Sequence, residues 1–211
     1  MLKKILVWEV RVLKFKVQET KLEAATKEKY TYGDYLTWLD EERWELIDGL
    51  PYNLTPSPSR AHQDISRELM LQLANYLENK KCKVYAAPVD VRLPKGDEED
   101  ERIETVVQPD LVVVCDENKL DERGCKGAPD LVIEILSPYT AGKDMKIKRD
   151  LYERVGVEEY WLVDPTYKTL QVYKIGNDGK YGPPQVYTNE EEVKVGLFTD
   201  LVVDLIRVFE G

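Results

Sequence analysis

Apolar residues along the chain recur with two periods, and the switch between them marks the elements. Trp8, Val10 and Val12 alternate with charged positions, then slip in phase to Leu13, Phe15 and Val17. That pattern predicts a long strand carrying a bulge. The polar stretch KLEAATKEK reads as a linker. Thr31 and Asp34 have the spacing of a capping box, opening a short helix through YGDYLTWLD. Asp48-Gly49 between two apolar runs predicts a tight hairpin. Ile65, Leu69, Leu73 and Leu77 then recur at helical spacing, so HQDISRELMLQLANYLENK is expected to form an amphipathic helix.

Beyond that helix, residues 83–94 read as one strand and 96–104 as a solvated acidic loop. Residues 108–116 and 129–138 are nearly continuous apolar runs, each opening near a Pro-Asp pair, and predict two buried strands. KDMKIKRDLYERVG predicts a helix stopped by Gly156, followed by a strand over 158–165 and an edge partner over 169–175. FTDLVVDLIRVF is expected to close the chain as a short amphipathic helix. The order helix, strand, strand, strand, helix, strand implies an α/β sheet with helices on its faces. The strand reached through the second helix should run parallel to the strand before it.

Composition adds limits. The chain has 211 residues, 43% hydrophobic and 33% charged, which fits one globular domain with a small extension. Thirty basic against forty acidic residues give a net charge of -10. Such a chain repels polyphosphate at long range, which argues against DNA coating but leaves room for a local basic cleft. The opening MLKKILVWEV is broken by Glu9 and is not expected to act as a signal peptide; no membrane association is expected either. Cys82, Cys115 and Cys125 form no CxxC pair and read as reduced thiols of a cytoplasmic protein.

The anomaly is Glu134, set between Ile133 and Ile135 in an otherwise apolar strand. A buried carboxylate costs several kcal/mol unless a charge or donor meets it. Period-two geometry puts Asp130, Val132, Glu134 and Leu136 on one face and Leu131, Ile133 and Ile135 on the other. Asp110 opens the preceding strand and can approach Glu134 if the strands are neighbours. Two carboxylates under partial burial call for a cation between them, and an all-oxygen site suits Mg²⁺ or Mn²⁺. At 100° per residue, Ile147, Leu151, Tyr152 and Val155 form one stripe of the next helix, with Lys148 in its middle and Lys143 outside it. Asp144, Lys148 and Tyr152, spaced by four, line one edge. Plainer roles compete: Asp130 fixes a turn, His62 packs as a capped histidine, Glu45 faces solvent, and Tyr152 packs with its hydroxyl bonded.

Asp110 in QPD, Glu134 in the EIL of the next strand and the helix–strand order resemble the PD-(D/E)xK nuclease superfamily, the restriction-endonuclease-like fold. ELIDG, PDLVVV, PDLVIEILSP, D-x-x-x-K-x-x-x-Y and GVEEYWLVDP together are similar to its Uma-type branch of bacterial endonucleases, over roughly residues 30 to 205. The superfamily places a lysine two residues after the glutamate; that position here is Leu136, and Lys148 is the candidate replacement. The resemblance implies a mixed sheet flanked by helices over 29–211; the β extension and linker over 1–28 and the hairpin rest on the alternation, the polar stretch and the Asp48-Gly49 turn. It implies a homodimeric endonuclease that hydrolyses DNA phosphodiester bonds with Mg²⁺ or Mn²⁺. Asp110 and Glu134 would hold the metal, and Lys148 would orient water or stabilise developing charge. Glu45, His62, Asp144 and Tyr152 would support the ligands or touch substrate. Two alternatives stay open. Leu136 and the net charge point toward a catalytically degenerate interaction or nucleic-acid-binding module. A metal-dependent hydrolase of another phosphate ester is the third.

Overall fold

The computed structural model describes residues 28–38, 43–54 and 57–210; the strand expected over 7–17 lies outside them. Asp48 and Gly49 both take positive φ, 52° and 82°, the geometry that a two-residue hairpin turn requires. They join β1 (Trp44–Ile47) to β2 (Leu50–Asn53). Thr31 opens α1 (Tyr32–Tyr35), with Asp34 accepting the Thr31 backbone N–H at 2.8 Å as the capping pattern predicts. The helix α2 (Arg60–Leu77) is capped by Ser59, whose hydroxyl accepts the His62 N–H.

Two six-stranded sheets organise the described chain. One contains β3 (Lys83–Ala86), β6 (Leu111–Val114), β9 (Leu131–Ile135), β10 (Glu159–Asp164), β11 (Thr169–Lys174) and β12 (Gln185–Thr188), in the order β12-β11-β10-β9-β6-β3. The other joins β1 and β2 to β4 (Val91–Arg92), β5 (Val106–Val107), β7 (Leu120–Asp121) and β8 (Gly124–Lys126). As expected, β10 runs parallel to β9. Between them the chain makes a π turn (Lys143–Lys148) and α3 (Arg149–Val155), which ends where Gly156 adopts the left-handed conformation.

The two faces of β9 sort as period two requires. Leu131, Ile133 and Ile135 pack with Ile65, Leu69, Leu73 and Leu77 of α2. Burying each such side chain contributes about 1.5–3 kcal/mol, so α2 is held mainly by this ridge. On the opposite face Val132 and Leu136 pack with Leu151 and Tyr152, and with Ile47, Val91 and Val107 of the second sheet. The site therefore forms where helix, first sheet and second sheet meet.

Four local expectations change. Residues 83–94 split: β3 ends before the cis Ala87–Pro88 bond, and β4 joins the other sheet. The acidic stretch 96–104 is partly structural, because Asp100 pairs with buried Arg92 and with Lys126, and Ile103 is buried. The closing segment divides into β14 (Val202–Asp204), paired with β13 (Glu192–Lys194), and α4 (Leu205–Glu210). Beyond β11, β12 takes the sheet edge, so β11 is an interior strand.

The cysteines also differ from expectation. β3 and β6 are antiparallel with Lys83 facing Val114, so Cys82 and Cys115 are the next facing pair. They are joined in a disulfide, while Cys125 is free and buried. A separation of 33 residues hides this pairing until the register is known. Cysteine usage therefore no longer argues for a reducing compartment. Among the described residues no helix is long and apolar enough to cross a membrane.

Candidate active site

Glu134 has found its partners. Its Oε1 accepts hydrogen bonds from Lys148 Nζ at 2.7 Å and from the Tyr152 hydroxyl at 2.9 Å. Lys148 is 2% exposed, and its ammonium also lies 2.6 Å from Glu45 Oε1. Glu45 is not a solvent-facing strand acid: it is fully buried, with Lys143 Nζ 2.6 Å from Oε2 and the Gln108 backbone N–H 2.9 Å from Oε1. One helix-borne lysine thus bridges a carboxylate from each sheet.

Lys143 was expected outside the inward stripe, and the structure turns it into the site. The 100° step assumes an α-helix, whereas Lys143–Lys148 form a π turn, which closes hydrogen bonds to the fifth residue. Residues five apart then share a face, so Lys143 and Lys148 both reach Glu45. Asp144 is buried as well, 3.9 Å from Lys148 Nζ, and its Oδ1 has no hydrogen-bond partner among the described residues.

Asp110 meets Glu134 from the strand next door. β6 pairs antiparallel with β9, and Asp110 Oδ2 accepts the Ile135 backbone N–H at 2.8 Å. The same oxygen lies 3.2 Å from His62 Nε2, so the sole histidine of the chain is packed near the start of α2 against Asp110. Asp130, by contrast, accepts the Cys115 N–H at 2.7 Å and ties β9 to β6. A cleft of about 370 Å³ is lined by His62, Asp110, Glu134, Lys143, Asp144 and Lys148, among others. The seven side chains expected at the site, Glu45, His62, Asp110, Glu134, Asp144, Lys148 and Tyr152, thus form one connected neighbourhood.

The charges do not balance within this buried space. Burial pushes the Glu134 carboxyl up to about 8, against the pull of Lys148, with Asp144, Asp110 and Glu45 adding repulsion. Burial also raises Asp144 above the usual carboxylate range. Burial opposes ionisation of Glu45 too, yet Lys148 and Lys143 outweigh it and hold that carboxyl below its ordinary value. Burial disfavours the Lys148 cation, but Glu134, Glu45 and Asp144 overcome this and raise it well above its ordinary value. Lys148 is therefore a fixed cation, and Glu134 is the acid that gives way.

The donor set can be tested against a divalent ion. Asp110 Oδ1 and Glu134 Oε2 have no hydrogen-bond partner among the described residues, and both side chains line the cleft. Among the described residues no group of three or more His, Cys, Asp or Glu is placed to hold a metal ion. Two carboxylates leaving other positions to water and phosphate are what Mg²⁺ takes, since it dehydrates reluctantly. Asp110 and Glu134, both lining the cleft, fit such an ion.

Residues 32–205 match the sequence model of the Uma2 family, described as "Putative restriction endonuclease". The chain belongs to the Uma2 family. Over 156 residues it is 26% identical to "Uncharacterized protein slr1290" of Synechocystis sp., covering 72% of this chain and 78% of that protein. Its fold is similar to a crystal structure described as a putative nuclease belonging to DUF820 from Anabaena variabilis, with TM-score 0.67 and 21% identity. That likeness covers 85% of this chain and 97% of the other. This Uma2 chain thus has the mixed α/β fold expected from its motifs, and Leu136, two residues after Glu134, is buried.

Proposed function

We propose that this Uma2 protein is a Mg²⁺- or Mn²⁺-dependent nuclease that hydrolyses DNA phosphodiester bonds. The observation that carries the reading is the Lys148 ammonium, buried and 2.7 Å from Glu134 Oε1. It supplies from the helix the cation that the strand lacks at Leu136. Asp110 and Glu134 would hold the divalent ion, which when bound polarises the phosphate and lowers the pKa of its water. Because Glu134 titrates near 8, it must release a proton to serve as a ligand at neutral pH. Lys148 remains charged and so is no proton acceptor. Its contacts with Glu45 and Glu134 engage two of an ammonium's three donors, leaving one to stabilise charge developing on phosphate. Tyr152 fixes the Glu134 carboxylate, His62 steadies Asp110, and Lys143 with Glu45 holds Lys148 in place.

The test is incubation of plasmid and oligonucleotide DNA with the protein and Mn²⁺, with chelator and Glu134→Gln controls. Cleavage that needs Mn²⁺ and Glu134 is the expected result. Intact DNA together with absent Mn²⁺ binding would favour the non-catalytic reading, to which the closed Lys148–Glu45 pair and Leu136 lend support, whereas metal binding with intact DNA would favour a hydrolase of another phosphate ester.

A further inference from the structure

β9 and β10 are parallel neighbours with Ile135 facing Val163. Counting four residues beyond each gives Tyr139 and Tyr167, so two tyrosines leave adjacent strands at the same offset. They are 76% and 78% exposed, the two most exposed large hydrophobic side chains among the described residues. Both loops border the cleft: Tyr139 lines it directly, and Pro165 and Thr166 bring the second loop to its edge. Neither ring hangs on a slack segment. Ser137 Oγ lies 3.0 Å from Thr140 Oγ1 and accepts the Thr140 N–H at 3.2 Å, closing the first loop. Asp164 Oδ1 accepts the N–H groups of Thr166 and Tyr167 at 2.8 and 3.1 Å, closing the second.

Below these rings the reactive groups are recessed. Glu134, Asp144 and Lys148 are 4%, 3% and 2% exposed. A stiff duplex with a width of about 20 Å presents its phosphates on the outside of a rod and has no unstacked face for a ring. A single strand bends into a narrow cleft and offers a π-face at every base. Charge points the same way, since a chain at -10 repels the denser phosphate charge of a duplex more than that of one strand.

We infer that the substrate is single-stranded or locally unpaired DNA, whose bases stack on Tyr139 and Tyr167 as the backbone enters the cleft. The inference rests on the nuclease reading for the cut itself, but base stacking is measurable without cleavage. Fluorescence anisotropy of a labelled twelve-nucleotide strand and of its duplex, with Ca²⁺ in place of Mn²⁺, reads binding alone; gel analysis with Mn²⁺ reads cleavage. The single strand should bind at least about tenfold tighter than the duplex. Tyr139→Ala and Tyr167→Ala should each weaken strand binding by about fivefold or more, with Tyr→Trp at either position restoring it. Both rings are at the surface, so circular dichroism and melting temperature should not move. Equal or tighter duplex binding, or alanine variants with unchanged strand affinity, overturns the inference even if the protein cuts DNA. Tyrosine-dependent strand binding without any Mn²⁺-dependent cut upholds the stacking site and defeats the nuclease reading. Absence of binding to either form overturns the inference.

Discussion

Replacing Lys148 with methionine removes one charge from a place that water does not reach, while the unbranched side chain keeps most of the packing. The consequence follows from its two carboxylates. Glu134, with its carboxyl raised to about 8, is already mostly neutral at pH 7 and tolerates the loss. Glu45 does not: it is fully buried, ionised, and left with Lys143 as its one remaining ammonium contact among the described residues. Breaking a buried pair by removing one partner costs about 3–5 kcal/mol. For a chain of this size each kcal/mol moves Tm by about 2–4 °C, so Lys148→Met should melt about 6–20 °C lower. Denaturant and thermal unfolding at pH 7 measure this directly. The double variant Glu45→Gln/Lys148→Met should recover about 2 kcal/mol or more, because the stranded charge is gone. A single-variant loss under about 0.5 kcal/mol, or a double variant no better than the single, would refute the reasoning.

Three other consequences can be measured separately. Because the folded Glu134 carboxyl is raised, the folded state holds a proton that the unfolded state gives up. Its contribution to the stability of the metal-free protein should therefore be fullest below the ordinary glutamate range and be lost as pH rises from about 4.5 through 8, by up to about 1.4 kcal/mol per pH unit; urea midpoints of the wild type and Glu134→Gln at several pH values test this, the difference between them following that trend. Reducing Cys82–Cys115, which closes a loop of 33 residues in sequence, should lower stability by about 2–4 kcal/mol, and dithiothreitol should leave Cys82→Ser/Cys115→Ser unchanged. His62→Ala frees Asp110 Oδ2 from its side-chain partner and should weaken Mn²⁺ affinity by about tenfold, as isothermal calorimetry would show, with little change in helix content.

Much of this architecture could be read from spacing. The ridge Ile65, Leu69, Leu73 and Leu77, the Asp48-Gly49 turn and the two faces of β9 all follow from periods of 3.6 and 2 that tertiary contacts reinforce. Burial of Lys148 was legible because its angular position in the helix and the isolation of Glu134 each demanded an opposite charge. Lys143 was not, because a π turn changes the period without leaving a mark in residue type. Nor was the burial of Glu45, which depends on where the second sheet packs rather than on its own strand. The Cys82–Cys115 bond needed a register, and the split of residues 83–94 needed to know that β4 pairs with β5 and β8. Local periodicity reports which side faces inward; it is silent on which distant element waits there.

The central claim is that Asp110 and Glu134 take a divalent ion beside a lysine that stays charged. Calorimetric titration of the protein with Mn²⁺ at pH 7, repeated in two buffers of different ionisation enthalpy, measures both the binding and the protons released. One Mn²⁺ per chain with close to one proton lost is the expected result, and Asp110→Asn or Glu134→Gln should abolish both. Metal binding that survives those substitutions, or binding at pH 7 without proton release, would contradict it.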